Sequence, residues 1–274
     1  MFQSRSVVLM YHRVASVRPD PWSLCVSPDH FAEHLDVLQK YHRVRLDQLS
    51  PSGWSIRPKL SVAITFDDGY ADNLHEAARL LSRYDTPATF FITTGYVGAD
   101  HEFWWDELER IVPAEEYLPL YEKLQPLAHT DRRQLLNAIL MESGAGVSCR
   151  PSHRPLTIEE LQTLATDELF EIGAHTITHP LLAAQPVEQQ YNEISGSKAW
   201  LEKVLDRPVT SFSYPYGGTH HYTPTTVQAV RDLGFSMACT TTSRPVRRSD
   251  DPCRWGRLQV PDVGGDEFQQ MLFA

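Results

Sequence analysis

The sequence predicts an α/β fold whose parallel strands alternate with helices and curl into a barrel or distorted barrel. Three observations predict it. Short, nearly continuous apolar runs recur along the chain, as expected of strands buried on both faces. Segments of helical period lie between them, so each strand returns to the sheet through a crossover. About seven such units fit in one chain, which favours a ring over an open sheet.

The first strand covers residues 6–11. Ser27-Pro28 reads as an N-cap followed by proline at the first helical position, and the helix runs to about Tyr41 with Phe31, Leu35 and Leu38 on one face. Residues 60–66 form the next strand, residues 72–84 a helix and residues 88–92 a strand. Further strands fall at 169–175, 210–214 and 235–240, separated by helices at 187–205 and 225–233, and a last strand lies near 255–260. The stretch from about 97 to 156 breaks the rhythm. It reads as two or three helices, clearest at 104–111 and 132–141, inserted after one strand of a single barrel domain spanning residues 1–274.

Bulk properties narrow the function. The chain has 274 residues, 42% of them hydrophobic, enough for an ordinary core, and a formal net charge of -10. No block of Lys or Arg stands out, so nucleic acid and anionic membranes are poor partners. Cys25, Cys149, Cys239 and Cys253 form no CxxC pair and read as free thiols in a reducing compartment. The start is too short in apolar residues for a signal-peptide core, and no transmembrane run appears. The expectation is a soluble, cytoplasmic protein without membrane insertion. Oligomeric state is not legible.

Two segments carry chemistry. Thr65-Phe66-Asp67-Asp68-Gly69 places adjacent carboxylates after an apolar run, and His175-Thr176-Ile177-Thr178-His179-Pro180 places two imidazoles four residues apart after another. One Asp and two His make three ligands for a zinc-like ion with a position left open, the catalytic arrangement. The remaining carboxylate is a natural general base. Each segment alone has a plain alternative: Asp-Gly marks a turn, and paired histidines can face solvent. Together, at the ends of separate strands on the rim where such barrels place their sites, they favour the metal. Which Asp ligates stays open on spacing alone. His12 follows the first strand, and Tyr214-Pro215-Tyr216-Gly217 follows another. Trp104 and Trp105 either line a sugar cleft or pack the insertion. His220 and His221 read as exposed loop residues, and His30, His34, His42 and His75 as helix-face or loop histidines.

These segments resemble the polysaccharide deacetylases, the NodB-like carbohydrate esterases. Thr65 to Gly69 matches their first motif and His175 to Pro180 their second. Their third motif, Arg-x-Pro-Tyr, reads Ser213-Tyr214-Pro215-Tyr216 here, with Ser in place of Arg. The opening Val8-Leu9-Met10-Tyr11-His12-Arg13-Val14 is similar to a subgroup that includes poly-N-acetylglucosamine deacetylases, in which the motif bearing the acid His is permuted to the amino terminus. No His follows His221, so the usual carboxy-terminal acid is absent.

The resemblance implies a distorted (β/α)7 barrel. It implies Asp68, His175 and His179 as metal ligands and Asp67 as general base. His12 would be the general acid, and the Tyr216 backbone would support the oxyanion. Arg254 or Arg257 would supply the charge missing at Ser213. The implied cofactor is a divalent ion, zinc first, with cobalt, nickel or iron as alternatives. The implied activity is hydrolysis of the acetamide of an N-acetylated amino sugar in surface-polysaccharide or glycoconjugate biosynthesis. Its rivals are hydrolysis of another amide or an O-acyl ester on the same site, and a non-catalytic carbohydrate-binding barrel that kept the metal. A binding relic need keep neither Asp67 nor His12. Polymer, lipid-linked sugar and nucleotide sugar remain open as substrates.

Overall fold

The computed structural model describes residues 6–49, 60–146 and 149–272. The first five residues, on which the reading of the amino terminus partly rests, lie outside them. In chain order the strands are β1 (Ser6–Tyr11), β2 (Arg13–Val14), β3 (Cys25–Val26), β4 (His42–Arg43), β5 (Ser61–Phe66), β6 (Ala88–Ile92), β7 (Phe170–Ala174), β8 (Ser211–Ser213), β9 (Met237–Cys239) and β10 (Leu258–Gln259). The helices are α1 (Pro28–Leu38), α2 (Arg79–Arg83), α3 (Trp104–Ile111), α4 (Ala114–Leu124), α5 (His129–Ser143), α6 (Ile158–Thr166), α7 (Val187–Leu205), α8 (Pro224–Asp232) and α9 (Gly265–Met271).

The main sheet runs β10-β1-β5-β6-β7-β8-β9, every pair parallel, with β4 joined to the start of β5. Trp255 continues it past β9: it bridges Cys239 in parallel, donates its N–H to the Ala238 carbonyl at 2.9 Å and accepts from the Thr240 N–H at 2.8 Å. A few residues on, β10 pairs with β1. The segment 255–259 thus curls the sheet into the distorted barrel that the alternation predicts. β1 and β6 are buried throughout, which is why their sequences read as unbroken apolar runs.

Two predicted elements differ in detail. α1 ends at Leu38 rather than near Tyr41, because Tyr41 N–H turns back to the Leu38 carbonyl at 3.0 Å. The helix predicted over 72–84 opens with a π-helical turn, Asn73–Ala78, before α2. The wider turn brings two polar residues to the end of β1. Asn73 Nδ2 donates to the His12 carbonyl at 2.8 Å, and Asp72 accepts from Arg13 Nε at 2.9 Å and Val14 N–H at 3.2 Å. Irregular helical turns of this kind tend to lie beside functional sites.

Within the predicted insertion, α3, α4 and α5 close over a core of their own, with Phe103, Trp104, Leu108, Leu124 and Leu136 at its centre. Tyr70, from the loop after β5, is buried in that same cluster and ties it to the sheet. Among the described residues no helix is long and apolar enough to cross a membrane. The four cysteines are free, three of them buried.

Candidate active site

Four strand ends meet at one rim. In-register pairing of Tyr11 with Phe66 sets His12 beside Asp67 and Asp68, and pairing of Ile92 with Ala174 and of Ala174 with Phe212 brings His175 to the same level. The backbone then leaves ordinary geometry. Asp68, Thr176, His179 and Tyr216 all have positive φ (75°, 66°, 52° and 62°), four of the seven non-glycine residues that do. Side chains with a Cβ adopt this region only where their surroundings force it. At Asp68 the turn separates two carboxylates adjacent in sequence, so that they serve different partners. Gly95 lets the next loop come close: its N–H donates to the Ile177 carbonyl at 2.8 Å, and a Cβ there would lie 2.6 Å from that oxygen.

Asp68, His175 and His179 are all buried, and one ligand atom from each lies within 4.8 Å of the others. Asp68 Oδ1 sits 3.6 Å from His175 Nε2 and 3.5 Å from His179 Nε2. Ligand atoms about 2.1 Å from a tetrahedral ion stand about 3.4 Å apart, so the spacing suits a shared cation. Asp68 Oδ1 is also buried with no hydrogen-bond partner, a costly state for a carboxylate oxygen unless it ligates. His175 Nδ1–H donates to the Ser213 carbonyl at 2.7 Å, which fixes the tautomer and leaves Nε2 free to bind. His179 is held by packing instead, between the rings of Trp105 at 4.7 Å and Tyr216 at 4.6 Å. Burial first, then the neighbouring His175 and Arg132, holds its pKa well below the ordinary value, so the ring is neutral as a ligand must be.

Asp67 faces the other way. Arg257 Nη1 donates to Oδ1 at 2.7 Å and Nη2 to Oδ2 at 2.6 Å, a bidentate pair in which the arginine is fully buried. Ser213 Oγ lies 3.3 Å from Asp67 Oδ2 and 2.9 Å from Arg257 Nη2. The guanidinium absent at position 213 therefore comes from Arg257, and the small Ser213 joins the pair. Arg254, the other candidate from sequence, bonds Asp251 at the surface. Burial alone would raise the Asp67 pKa, but Arg257 outweighs it and holds the carboxylate at about 2.

That depression has a consequence for stability. A carboxyl whose pKa is lower in the folded than in the unfolded chain stabilises the fold above its unfolded value and ceases to as pH falls through the folded one. Asp67 is therefore expected to contribute about 2 kcal/mol that disappears between about pH 4 and pH 2. Melting curves of wild type and of the double variant Asp67→Asn/Arg257→Met across that window check it: the wild type should lose more stability than the variant.

His12 and Tyr216 line the same cleft as Asp67, Asp68, His175 and His179. The Tyr216 carbonyl is taken by Thr241 Oγ1 at 2.9 Å and Gly218 N–H at 2.8 Å, while its own N–H has no partner among the described residues. The two tryptophans divide the alternatives: Trp105 lines the cleft, and Trp104 is buried in the helical core beneath Arg132. His221 is not a free loop residue, since its Nδ1 accepts from Gly218 N–H at 3.1 Å. His34 is fully buried, tied to Tyr11 and Val263.

Two supporting residues escaped the sequence reading. Glu193 on α7 accepts from the N–H groups of Ile177 and Thr178, each at 2.8 Å, and from Thr178 Oγ1 at 2.6 Å. Arg132 on α5, almost fully buried, donates to the Thr178 carbonyl at 2.8 Å. Together they clamp the loop between the two histidines. Neither stands in a motif, so nothing local marked them.

Comparison with known proteins places the chain. The polysaccharide deacetylase family model matches residues 55–118 and 144–238, more than half of it. The chain belongs to the polysaccharide deacetylase family. YxkH of Bacillus subtilis (strain 168), named for the same deacetylase activity by assignment, is 25% identical over 269 residues, covering 95% of this chain and 74% of that protein. Among solved structures, the deacetylase PplD of Streptococcus pyogenes, in complex with acetate, superposes with a TM-score of 0.69 at 21% identity, covering 97% of both chains. IcaB from Ammonifex degensii gives 0.69 at 22%, covering 99% of this chain and 97% of its own. These likenesses establish the distorted barrel as the shared fold.

Proposed function

We propose that this protein is a metal-dependent N-deacetylase that hydrolyses the acetamide of an N-acetylated amino sugar. The observation that carries this reading is one buried triad, Asp68, His175 and His179, beside a separate carboxylate, Asp67, held ionised by Arg257. A divalent ion held by the triad, zinc by preference for one carboxylate and two imidazoles, supplies Lewis acidity and lowers the pKa of water. Asp67 accepts the proton of the attacking water. The Tyr216 N–H is free to donate to the oxygen that gains charge at the acetyl carbon. His12 then delivers a proton to the departing sugar amine, a poor leaving group without it.

Acetate release from N-acetylated sugars and glycans by chelator-treated protein, resupplied with zinc, cobalt, nickel or iron, tests the reading. Activity that returns with one of these ions supports it. Release from O-acetyl esters alone, or from no substrate although metal is bound, would overturn it.

The ligand set has its own test. Asp68→Ala, His175→Ala and His179→Ala are each expected to bind at least about tenfold less metal, on the scale by which even outer contacts change affinity, with the far-UV spectrum unchanged. Full metal occupancy in all three would remove these residues from the site.

A further inference from the structure

We infer that Trp22 and Tyr121 form an aromatic platform for a second sugar ring, next to the one whose acetamide is cleaved, so that the substrate is an uncharged N-acetylated glycan of two or more residues. The inference rests on the deacetylase reading of the neighbouring site and names its substrate class. The cleft over the triad has a volume of about 210 Å³. That is below the roughly 300 Å³ at which pockets for drug-sized molecules begin, and it suits a single ring with its acetyl group. Any further sugar must lie at the mouth. The inner wall is buried, Trp105 included, whereas Trp22 and Tyr121 line the same cleft and are only half-buried.

These two residues come from separate segments, Trp22 from the loop between β2 and β3 and Tyr121 from α4. Their rings lie 4.3 Å apart, tilted by 43°. Both are held in place. Trp22 Nε1–H donates to the hydroxyl of the buried Tyr117 at 2.5 Å, and the Tyr121 ring stacks on Trp104 at 4.8 Å. With its N–H committed to Tyr117, Trp22 has only ring surface left to offer a ligand. Rigid aromatic faces bind at little conformational cost and suit the apolar C–H faces of a pyranose.

Charge at the cleft points the same way. No lysine or arginine is among the residues lining it. The guanidiniums near it are committed: Arg257 to Asp67, Arg13 to Asp72 and Arg132 to the Thr178 carbonyl. A diphosphate-linked sugar would find none of the bidentate partners it favours. Thr241 and Gln259, which also line the cleft, suit neutral hydroxyls.

Acetate release from N-acetylglucosamine, its trimer and its pentamer, and from a nucleoside-diphosphate N-acetylglucosamine, compares wild type with Trp22→Ala and Tyr121→Ala. The wild type should be at least tenfold more efficient on the trimer than on the monomer. Trp22→Ala should raise the trimer KM about tenfold while kcat and the monomer KM stay within twofold. Trp22→Phe, which keeps a ring, should recover most of the loss. Calorimetry of the trimer on Asp67→Asn protein, with and without Trp22→Ala, reads the platform without turnover: about tenfold weaker binding is expected on loss of the indole. If the wild type released no acetate from any sugar, the deacetylase reading would fail while this binding arm still judged the platform. Equal efficiency on monomer and trimer, unmoved trimer binding on loss of Trp22, or a preference for the nucleotide sugar would each overturn the inference. Should Trp22→Ala not fold, Tyr121→Ala decides by the same two readouts.

Discussion

Asp67→Asn is expected to lower turnover on an N-acetylated sugar by about 10²–10⁴-fold with bound metal unchanged. The substitution preserves shape and removes basicity, and Asp67 lies outside the Asp68–His175–His179 triad, so binding and chemistry should separate. The buried ion pair adds a second effect. Arg257 is fully buried and gives two hydrogen bonds to Asp67. With one partner neutralised its charge is left uncompensated, which typically costs about 3–5 kcal/mol. Adding Arg257→Met should return most of that stability and none of the turnover. A variant with intact stability and lost metal would instead place Asp67 in the ligand set, and if Asp68→Asn kept the metal, the two carboxylates would have exchanged roles.

The pair also fixes what Asp67 can be as a base. Held at about pH 2 by Arg257 against the opposing effect of burial, it is ionised at any working pH, but its intrinsic drive to take a proton is small. Position must compensate: the carboxylate is pinned at both oxygens and cannot rotate away. An acid limb in the pH–rate profile above about pH 4 would then belong to some other group.

Much of this was legible in the sequence because it is local. Apolar runs at residues 6–11, 60–66 and 88–92 marked central strands, and their parallel order fixed which ends share a rim. The paired motifs then gave the cluster. Long-range pairings were not legible. Arg257 was one of two candidates for the charge missing at Ser213, and only the curling of segment 255–259 between β9 and β1 chooses it over Arg254. Glu193 and Arg132 act on backbone atoms of a loop distant in sequence, and such contacts leave no spacing to read. α6 was different: Thr157 and Glu160 form a capping box at its start, a signal present in the sequence and passed over. The short β2–β3 pair and β4 have two residues each, too few for any period to show.

His12→Ala is the other large expected effect: amide hydrolysis falls by about 10²–10⁴-fold with metal content intact. No histidine follows His221, so a proton donor must come from elsewhere in the chain. His12 stands at the end of β1, its carbonyl held by Asn73 at 2.8 Å, and its half-buried side chain lines the cleft with Asp67, His175 and His179. It is near enough to the Asp67 carboxylate for its charge to help hold that group low. The rival donors are worse placed. His220 is exposed, His221 is engaged by Gly218 N–H, and neither lines the cleft. A donor to the amine matters in proportion to how badly the leaving group needs a proton, so an activated aryl ester should lose far less, about tenfold or below. Equal losses on amide and aryl ester would show that His12 shapes the site without donating the proton. An unchanged amide rate would exclude it as the acid, and the His220 and His221 variants would then be the ones to measure.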